Sequence, residues 1–265
     1  MATFSAKDVQ TLRQSTGAEM MDAKQALTEN DGDFEAAAKW LREKGLGKAA
    51  ERSGRENTQG AIAAAMPADG VAAIVELKCE TDFVAKSDGF TAVAEKLAGA
   101  VAADGEAAVE RHKDLVDDLK VTLKENIEVG RVVRIEAADG NALDAYLHRQ
   151  DGRGVNAVVV EVAGGDARLA HDLAVHVAFA QPPYLSRDEV PAAEVEAERA
   201  TLEQLTRAEG KPEAAVPKIV EGRLGGWFRD RVLLEQAYVR DEKQSIAHLL
   251  GDARIVRFAQ VVIGR

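Results

Sequence analysis

The sequence has little cysteine, few aromatic residues and no long apolar run, and each shortage excludes a class of protein. Its 265 residues include one cysteine, Cys79, so an internal disulfide and a cysteine-clustered zinc or iron–sulfur site are excluded. No apolar stretch reaches the ~20 residues that a membrane helix needs. The N-terminus lacks a basic segment followed by an apolar one, so we expect no secretion signal and a cytoplasmic protein.

Positive charge is also scarce relative to negative charge. The chain has 34 Lys and Arg against 45 Asp and Glu, which gives a formal net charge of −11. Because phosphate backbones attract surfaces rich in Lys and Arg, we expect no direct nucleic-acid binding. A hydrophobic content of 46% and a charged content of 30% are typical of a globular protein with one large or several small domains.

Sequence motifs for catalysis, nucleotide binding and metal binding are missing. There is no GxxxxGK[ST] pattern, and a loosened glycine pattern at Gly152, Gly154 and Ala157 leads into an apolar strand rather than a helix. His171 and His176 lie five residues apart, a spacing that does not place them on one helical face. We therefore predict no cofactor, no metal site and no catalytic residues, which makes an enzyme the third-ranked hypothesis.

The spacing of apolar residues predicts an α+β fold in four parts. Residues 1–55 are predicted to form a compact bundle of three short helices. Residues 56–140 are predicted to form a β-hairpin, two helices and a strand. Residues 141–185 and 231–265 supply further strands, a long helix, a short helix and a closing strand. Residues 186–230 form an inserted antiparallel pair of charged helices.

The predicted helical hairpin has few apolar residues with which to hold its two helices together. These residues recur at helical spacing, so they predict a narrow seam between the helices. The predicted seam joins Val195, Leu202 and Leu205 of one helix to Val216, Ile219 and Leu224 of the other.

A single aromatic residue, Phe83, stands in a polar segment that follows an apolar strand. The short side chains of Thr81 and Asp82 can bond nearby backbone N–H groups and fix a tight turn there. Phe83 is then either an outward apolar anchor of the kind that dominates interfaces or a core residue that folds back on Phe90. The residues alone leave both alternatives open.

The same segment, ELKCETDFVAK, resembles the second signature of the bacterial elongation factor Ts family. LRQSTGAEMMDAKQAL resembles the family's first signature, and further matches follow in the family's order over nearly the whole chain. They are GDFEAAAKWLREKG, ENIEVGRVVRIE, YLHRQDGRGVNAVVVEVAG, HVAFAQPPYLS and GKPEAAVPKIVEGRL. The resemblance implies a UBA-like N-terminal domain, an α/β core of two subdomains, and a helical hairpin. It also implies guanine-nucleotide exchange on elongation factor Tu.

The resemblance assigns roles to particular residues. Thr81, Asp82, Phe83 and Val84 match the segment that intrudes beside the partner's nucleotide site and dislodges Mg²⁺. Met20 and Met21 match positions near the partner's G domain, and His148 matches a residue that faces its third domain. From the residues alone, at least one of the two methionines fills the bundle core equally well, and the alternative for His148 is an ordinary surface residue of a strand.

Further expectations concern partners and departures from the family pattern. The expected partner is elongation factor Tu, GDP-bound or nucleotide-free, and the helical hairpin is a candidate homodimer surface. Glu19 and Ala23 stand where the family usually has Gly and often Cys, so Glu19 bears on the local loop geometry. The alternative function is a ubiquitin-associated-type adaptor whose bundle binds some other protein.

Overall fold

The computed structural model describes residues 4–68 and 70–265, which fold into mixed helices and strands. The helices are α1 (Ala6–Thr16), α2 (Met20–Glu29), α3 (Phe34–Ala50), α4 (Asp82–Ala85), α5 (Asp88–Asp104), α6 (Ala108–Arg111), α7 (Lys113–Leu123), α8 (Ala167–Ala180), α9 (Ala192–Ala208), α10 (Val216–Arg231) and α11 (Ile246–Leu250). The strands are β1 (Gln59–Ala68), β2 (Val71–Cys79), β3 (Glu128–Glu136), β4 (Ala142–Gln150), β5 (Arg153–Ala163), β6 (Ala237–Tyr238), β7 (Asp241–Ser245) and β8 (Arg254–Val262). Within the described residues, the helices are too short or too polar to cross a membrane. The predicted α+β class is confirmed.

Helices α1 to α3 form the predicted bundle, with the expected helix ends. Gly17 ends α1 in the left-handed conformation at φ 68°, and the Asp33 carboxylate caps α3 by accepting from the Ala36 amide. Leu12 and Leu27 are fully buried between the helices. Helix α3 runs on to Ala50, into the segment predicted as a linker, because it packs against α7 there.

The first sheet has the order β1-β2-β3, with all pairs antiparallel. Side chains alternate along a strand, so the two faces of the central strand β2 pack against different partners. Val75 and Leu77 face α5 and its buried Phe90, whereas Ala72 and Ile74 face a second sheet. Strand β2 is thus buried on both faces, and α4 begins three residues after it ends.

The second sheet has the order β4-β5-β8 and lies against the first sheet. Its central strand β5 also has two buried faces. Val158 and Val160 pack against α8, whereas Ala157 and Val159 pack against the first sheet. The core therefore has four layers, in the order α5, first sheet, second sheet, α8.

Helices α9 and α10 pair as predicted, but their seam is shifted at one position of each helix. Leu205 is 50% exposed, so its placement in the seam was wrong, and Val220 takes the buried place predicted for Ile219. Thr206 is fully buried instead, and its hydroxyl accepts from Arg223 Nη1 at 3.2 Å. This polar contact fixes where the two helices meet.

Candidate partner-binding surface

Phe83 lies on the one-turn helix α4, and its side chain is 83% exposed. Its neighbour Ala85 is fully buried, and Val84 packs partly on the core of the first sheet. Phe90 is fully buried within that core. The alternative in which Phe83 folds back on Phe90 is therefore wrong, and the ring projects outward from a helix whose other side is anchored.

Four residues are too few to form a stable helix by themselves, so α4 depends on support from other parts of the chain. Part of this support is local. Thr81 caps the helix, because its hydroxyl oxygen accepts from the Val84 amide at 3.3 Å. The sequence predicted that the side chains of Thr81 and Asp82 fix a tight turn; the Thr81 hydroxyl does bond a nearby amide, but the segment that it caps is one turn of helix.

The rest of the support comes from Glu125, in the turn between α7 and β3. One carboxylate oxygen accepts from the backbone amides of Glu80 (2.9 Å) and Thr81 (3.1 Å), and the other accepts from the Thr81 hydroxyl at 2.5 Å. In return, the Asn126 amide donates to the Glu80 carboxylate at 2.6 Å. Sequence reasoning missed Glu125, because it lies 44 residues beyond Thr81 and no local pattern connects the two.

Cys79 lies beneath this segment and is fully buried. Its thiol donates to the Thr81 carbonyl, with an Sγ–O distance of 3.2 Å. Burial, followed by the nearby Glu125 carboxylate, raises the pKa of the Cys79 thiol to about 12. The thiol therefore stays protonated near neutral pH and does not act as a nucleophile.

Lys86 connects α4 to the second sheet. Its ammonium group donates to Asp82 at 3.0 Å and pairs with Asp151, in the turn between β4 and β5, at 3.3 Å. The hydrogen bond from Lys86 lowers the pKa of the Asp82 carboxyl group, and the same bond raises the pKa of Lys86. Both groups stay charged near neutral pH, so the bridge persists there.

Met20 and Met21 begin α2 and are 48% and 70% exposed, so the alternative in which they fill the bundle core is wrong. Glu19, immediately before them, accepts from Lys124 Nζ at 2.8 Å. This hydrogen bond also lowers the pKa of Glu19. Lys124 adjoins Glu125, which supports α4. Glu19, the residue that departs from the family pattern, therefore connects the bundle to that support.

His148 is exposed near the end of β4, where it is paired with Asn156 of β5. After the turn that contains Asp151, Arg153 donates to the Gly60 carbonyl at 2.6 Å and so joins the second sheet to β1. The structure thus places the three predicted groups on different elements, and side-chain bridges join neighbouring residues, Glu19 with Lys124 and Asp151 with Lys86. Those groups are the α4 segment, the two methionines and His148.

Several histidines and carboxylates have structural partners. His176 is fully buried between Gln236 and the Val239 amide, and burial lowers its pKa, so it is neutral near pH 7. His171 pairs with Asp144 at 3.2 Å. In the described part of the chain, no group of three or more His, Cys, Asp or Glu side chains is arranged to hold a metal ion.

Comparisons with known proteins bear on what this surface does. The family profile described as Elongation factor TS matches residues 80–265. A curated protein named Elongation factor Ts from Clavibacter michiganensis subsp. michiganensis is 45% identical over 278 residues, which cover 100% of both chains. Proteins of the same name from Streptomyces griseus subsp. griseus and Micrococcus luteus are each 42% identical, over 287 and 282 residues, again with 100% of both chains covered.

Proposed function

The chain belongs to the elongation factor Ts family, and we propose that it binds GDP-bound elongation factor Tu and promotes the release of GDP. Membership makes it a translation elongation factor that acts in nucleotide exchange on elongation factor Tu. The proposal adds how it does so. The α4 segment displaces Mg²⁺ and distorts the partner's nucleotide site, after which GTP rebinds.

The observation that carries the proposal is the exposure of Phe83 on a helix held from three sides. Thr81 caps α4, Glu125 holds the chain that enters it, and Lys86 ties it to the second sheet. Because the backbone that carries this aromatic side chain is already ordered, little further conformational entropy is lost on binding, which favours a strong interface anchor.

The proposed mechanism is a competition between two ligands of elongation factor Tu. Mg²⁺ bridges phosphate oxygens and protein ligands, so small displacements of those ligands weaken the nucleotide site. Phe83 does not need to touch GDP. It needs only to bind better to a partner conformation in which the ligands of Mg²⁺ are displaced. Linkage is reciprocal, so GDP and this chain then weaken each other's binding.

Phe83 alone does not supply enough energy for complete exchange. Burying one Phe side chain contributes ~1.5–3 kcal/mol, whereas a nearly complete shift between two states needs ~5.5 kcal/mol. Other contacts with the partner must supply the difference. We propose Met20, Met21 and His148, which are exposed and lie on elements whose adjoining residues, Glu19 and Asp151, make the bridges described above.

The test is the rate at which labelled GDP leaves elongation factor Tu in the presence of Phe83→Ala. We expect release about tenfold to a hundredfold slower than with the wild type, because the lost ~1.5–3 kcal/mol acts on the transition to the displaced state. The fold should be unchanged because the ring is exposed, which circular dichroism and thermal unfolding will show. Met66→Ala removes an exposed apolar side chain near the far end of β1 and is the matched control.

Wild-type release rates with a folded Phe83→Ala variant would contradict the proposed mechanism. A wild-type chain that leaves GDP release unchanged would contradict exchange itself and favour the adaptor hypothesis, in which the bundle binds another protein.

We also propose the division into an N-terminal domain (1–55), a first core subdomain (56–140), a second core subdomain (141–185 and 231–265) and the hairpin (186–230). The bundle and the hairpin each pack around an apolar cluster of their own, which supports this division. The half-exposed Leu205 supports the hairpin as a homodimer surface. Sedimentation equilibrium of wild type and Leu205→Glu tests this, and an unchanged mass would count against it.

A further inference from the structure

We infer that Phe179, at the end of α8, is a second apolar anchor for elongation factor Tu and sets the affinity of the complex. Phe179 is 79% exposed, nearly as much as Phe83, and none of the motif roles assigned from the sequence includes it. The inference rests on the proposed function, since it names a further contact with the same partner.

The exposure of Phe179 follows from its position on α8. The buried apolar residues of this helix recur at helical spacing and face the second sheet: Ala170, Leu173, Ala174, Val177 and Ala178. Phe179 falls outside this stripe, on the face that carries His171 and Asp172. A large aromatic side chain on the polar face of an amphipathic helix is not needed for packing within the chain, which favours a role in binding.

Phe179 lies beside His148 in a cleft of about 630 Å³ at one end of the second sheet. The cleft has a fixed polar floor, because the Asn156 side-chain amide donates to the Ala178 carbonyl at 2.8 Å. His148 is paired with Asn156 across the strands and lies on the same face of the sheet as α8. The aromatic ring and the imidazole therefore border one cleft, whose lining comes from β1, β4, β5, α8 and β8 together with residues just outside these elements.

This cleft is continuous with the surface around Phe83, and the continuity is what assigns it to the same partner. Gln150 and Arg153 line the cleft and flank the turn that contains Asp151. Asp151 pairs with Lys86 of the α4 segment, and Arg153 donates to the Gly60 carbonyl of the first sheet. A partner seated on Phe83 that extends across this turn reaches His148 and Phe179.

The test separates affinity from maximal rate. With labelled GDP on elongation factor Tu, we expect Phe179→Ala to raise the half-saturating concentration of this chain about tenfold or more. The maximal release rate should stay within about twofold, because α4 is unchanged. Phe179→Tyr keeps the ring and should restore most of the affinity. Phe83→Ala, measured alongside, should lower the maximal rate.

The matched control is Met66→Ala, which removes an exposed apolar side chain near the far end of β1 and should change neither parameter. If a folded Phe179→Ala variant has the wild-type half-saturating concentration and maximal release rate while Phe83→Ala is still impaired, this inference is overturned and the proposed function stands. This inference is also overturned if the only effect of Phe179→Ala is a lower mass of a self-associated species in sedimentation. A second copy of this chain would then be what binds Phe179. A wild-type chain without exchange activity would overturn both this inference and the proposed function.

Discussion

The two exposed phenylalanines of the core lie on helices of very different kinds. Phe83 stands on α4, which has 4 residues, whereas Phe179 stands in the last turn of α8, which has 14. Helix α8 is held by its own apolar stripe against the second sheet. Helix α4 buries only Ala85 and part of Val84, and polar side chains from elsewhere in the chain, above all Glu125, hold the residues that lead into it.

This difference shows that the same kind of anchor can be supported locally or remotely. A long amphipathic helix fixes an exposed residue through its own packing, so Phe179 should be insensitive to changes in other elements. A one-turn helix has no such independence, so the position of Phe83 should respond to changes at Glu125, Lys86 and, more distantly, Glu19. Each prediction below tests this contrast.

Among changes to the residues that support the two anchors, the largest effect is expected for Glu125→Ala. This change removes the acceptor of three hydrogen bonds that fix Glu80 and Thr81, and bonds to a charged group contribute ~1.5–3 kcal/mol when well formed. We expect GDP release from elongation factor Tu to slow about tenfold, while the affinity contribution of Phe179 stays intact. The measurement is the release rate at saturating concentrations of the variant.

A double-mutant cycle with Phe83→Ala shows whether Glu125 acts by positioning Phe83. In the Phe83→Ala background, Glu125→Ala should have little further effect. Purely additive effects would mean that Glu125 does not act by positioning Phe83, and the contrast between remote support of Phe83 and local support of Phe179 would fail.

Cys79 gives a second readout of the Glu125→Ala change, because its thiol bonds the Thr81 carbonyl. Iodoacetamide should label the variant's thiol faster than that of the wild type, in which burial and the Glu125 carboxylate keep the pKa at about 12.

These two sites also show how far the sequence alone could lead. Apolar periodicity predicted the bundle, the β-hairpin and α8, because such patterns are local to each element. The cap at Thr81 was likewise local, since the hydroxyl and the amide that it accepts from lie three residues apart. The exposure of Phe179 was within reach in the same way, because the phase of the α8 stripe places it outside the buried face.

Contacts between distant segments could not be predicted in this way. The hydrogen bonds from the α4 segment to Glu125 cross 44 and 45 residues, and the pairing of Glu19 with Lys124 crosses 105. The placement of Leu205 failed for a related reason. The contacts between α9 and α10 include a polar one between Thr206 and Arg223, which the spacing of apolar residues does not encode.

A smaller effect is expected for Lys86→Met, which removes the bridge from α4 to the turn containing Asp151 but keeps most of the side chain's length. Exposed ion pairs contribute ~0–1 kcal/mol, so release should slow less than about fivefold at low ionic strength. Salt screens such pairs, so the variant and the wild type should converge as ionic strength rises toward ~1 M. A deficit that persists in high salt would show that Lys86 contacts the partner directly. Lys39→Met, which breaks an exposed pair with Glu43 on the bundle, is the control.

The smallest effect is expected when the hairpin is replaced. The chain enters and leaves it through adjacent segments, because the Leu233 amide donates to the Tyr184 carbonyl at 2.9 Å and the Leu234 amide donates to Leu185. Replacing residues 187–230 with a short glycine linker should therefore preserve the core. If α8 alone supports Phe179, the half-saturating concentration and the maximal release rate should both stay within about twofold of wild type. A higher half-saturating concentration, like that expected for Phe179→Ala, would show that Phe179 also depends on remote support, and the contrast with Phe83 would fail.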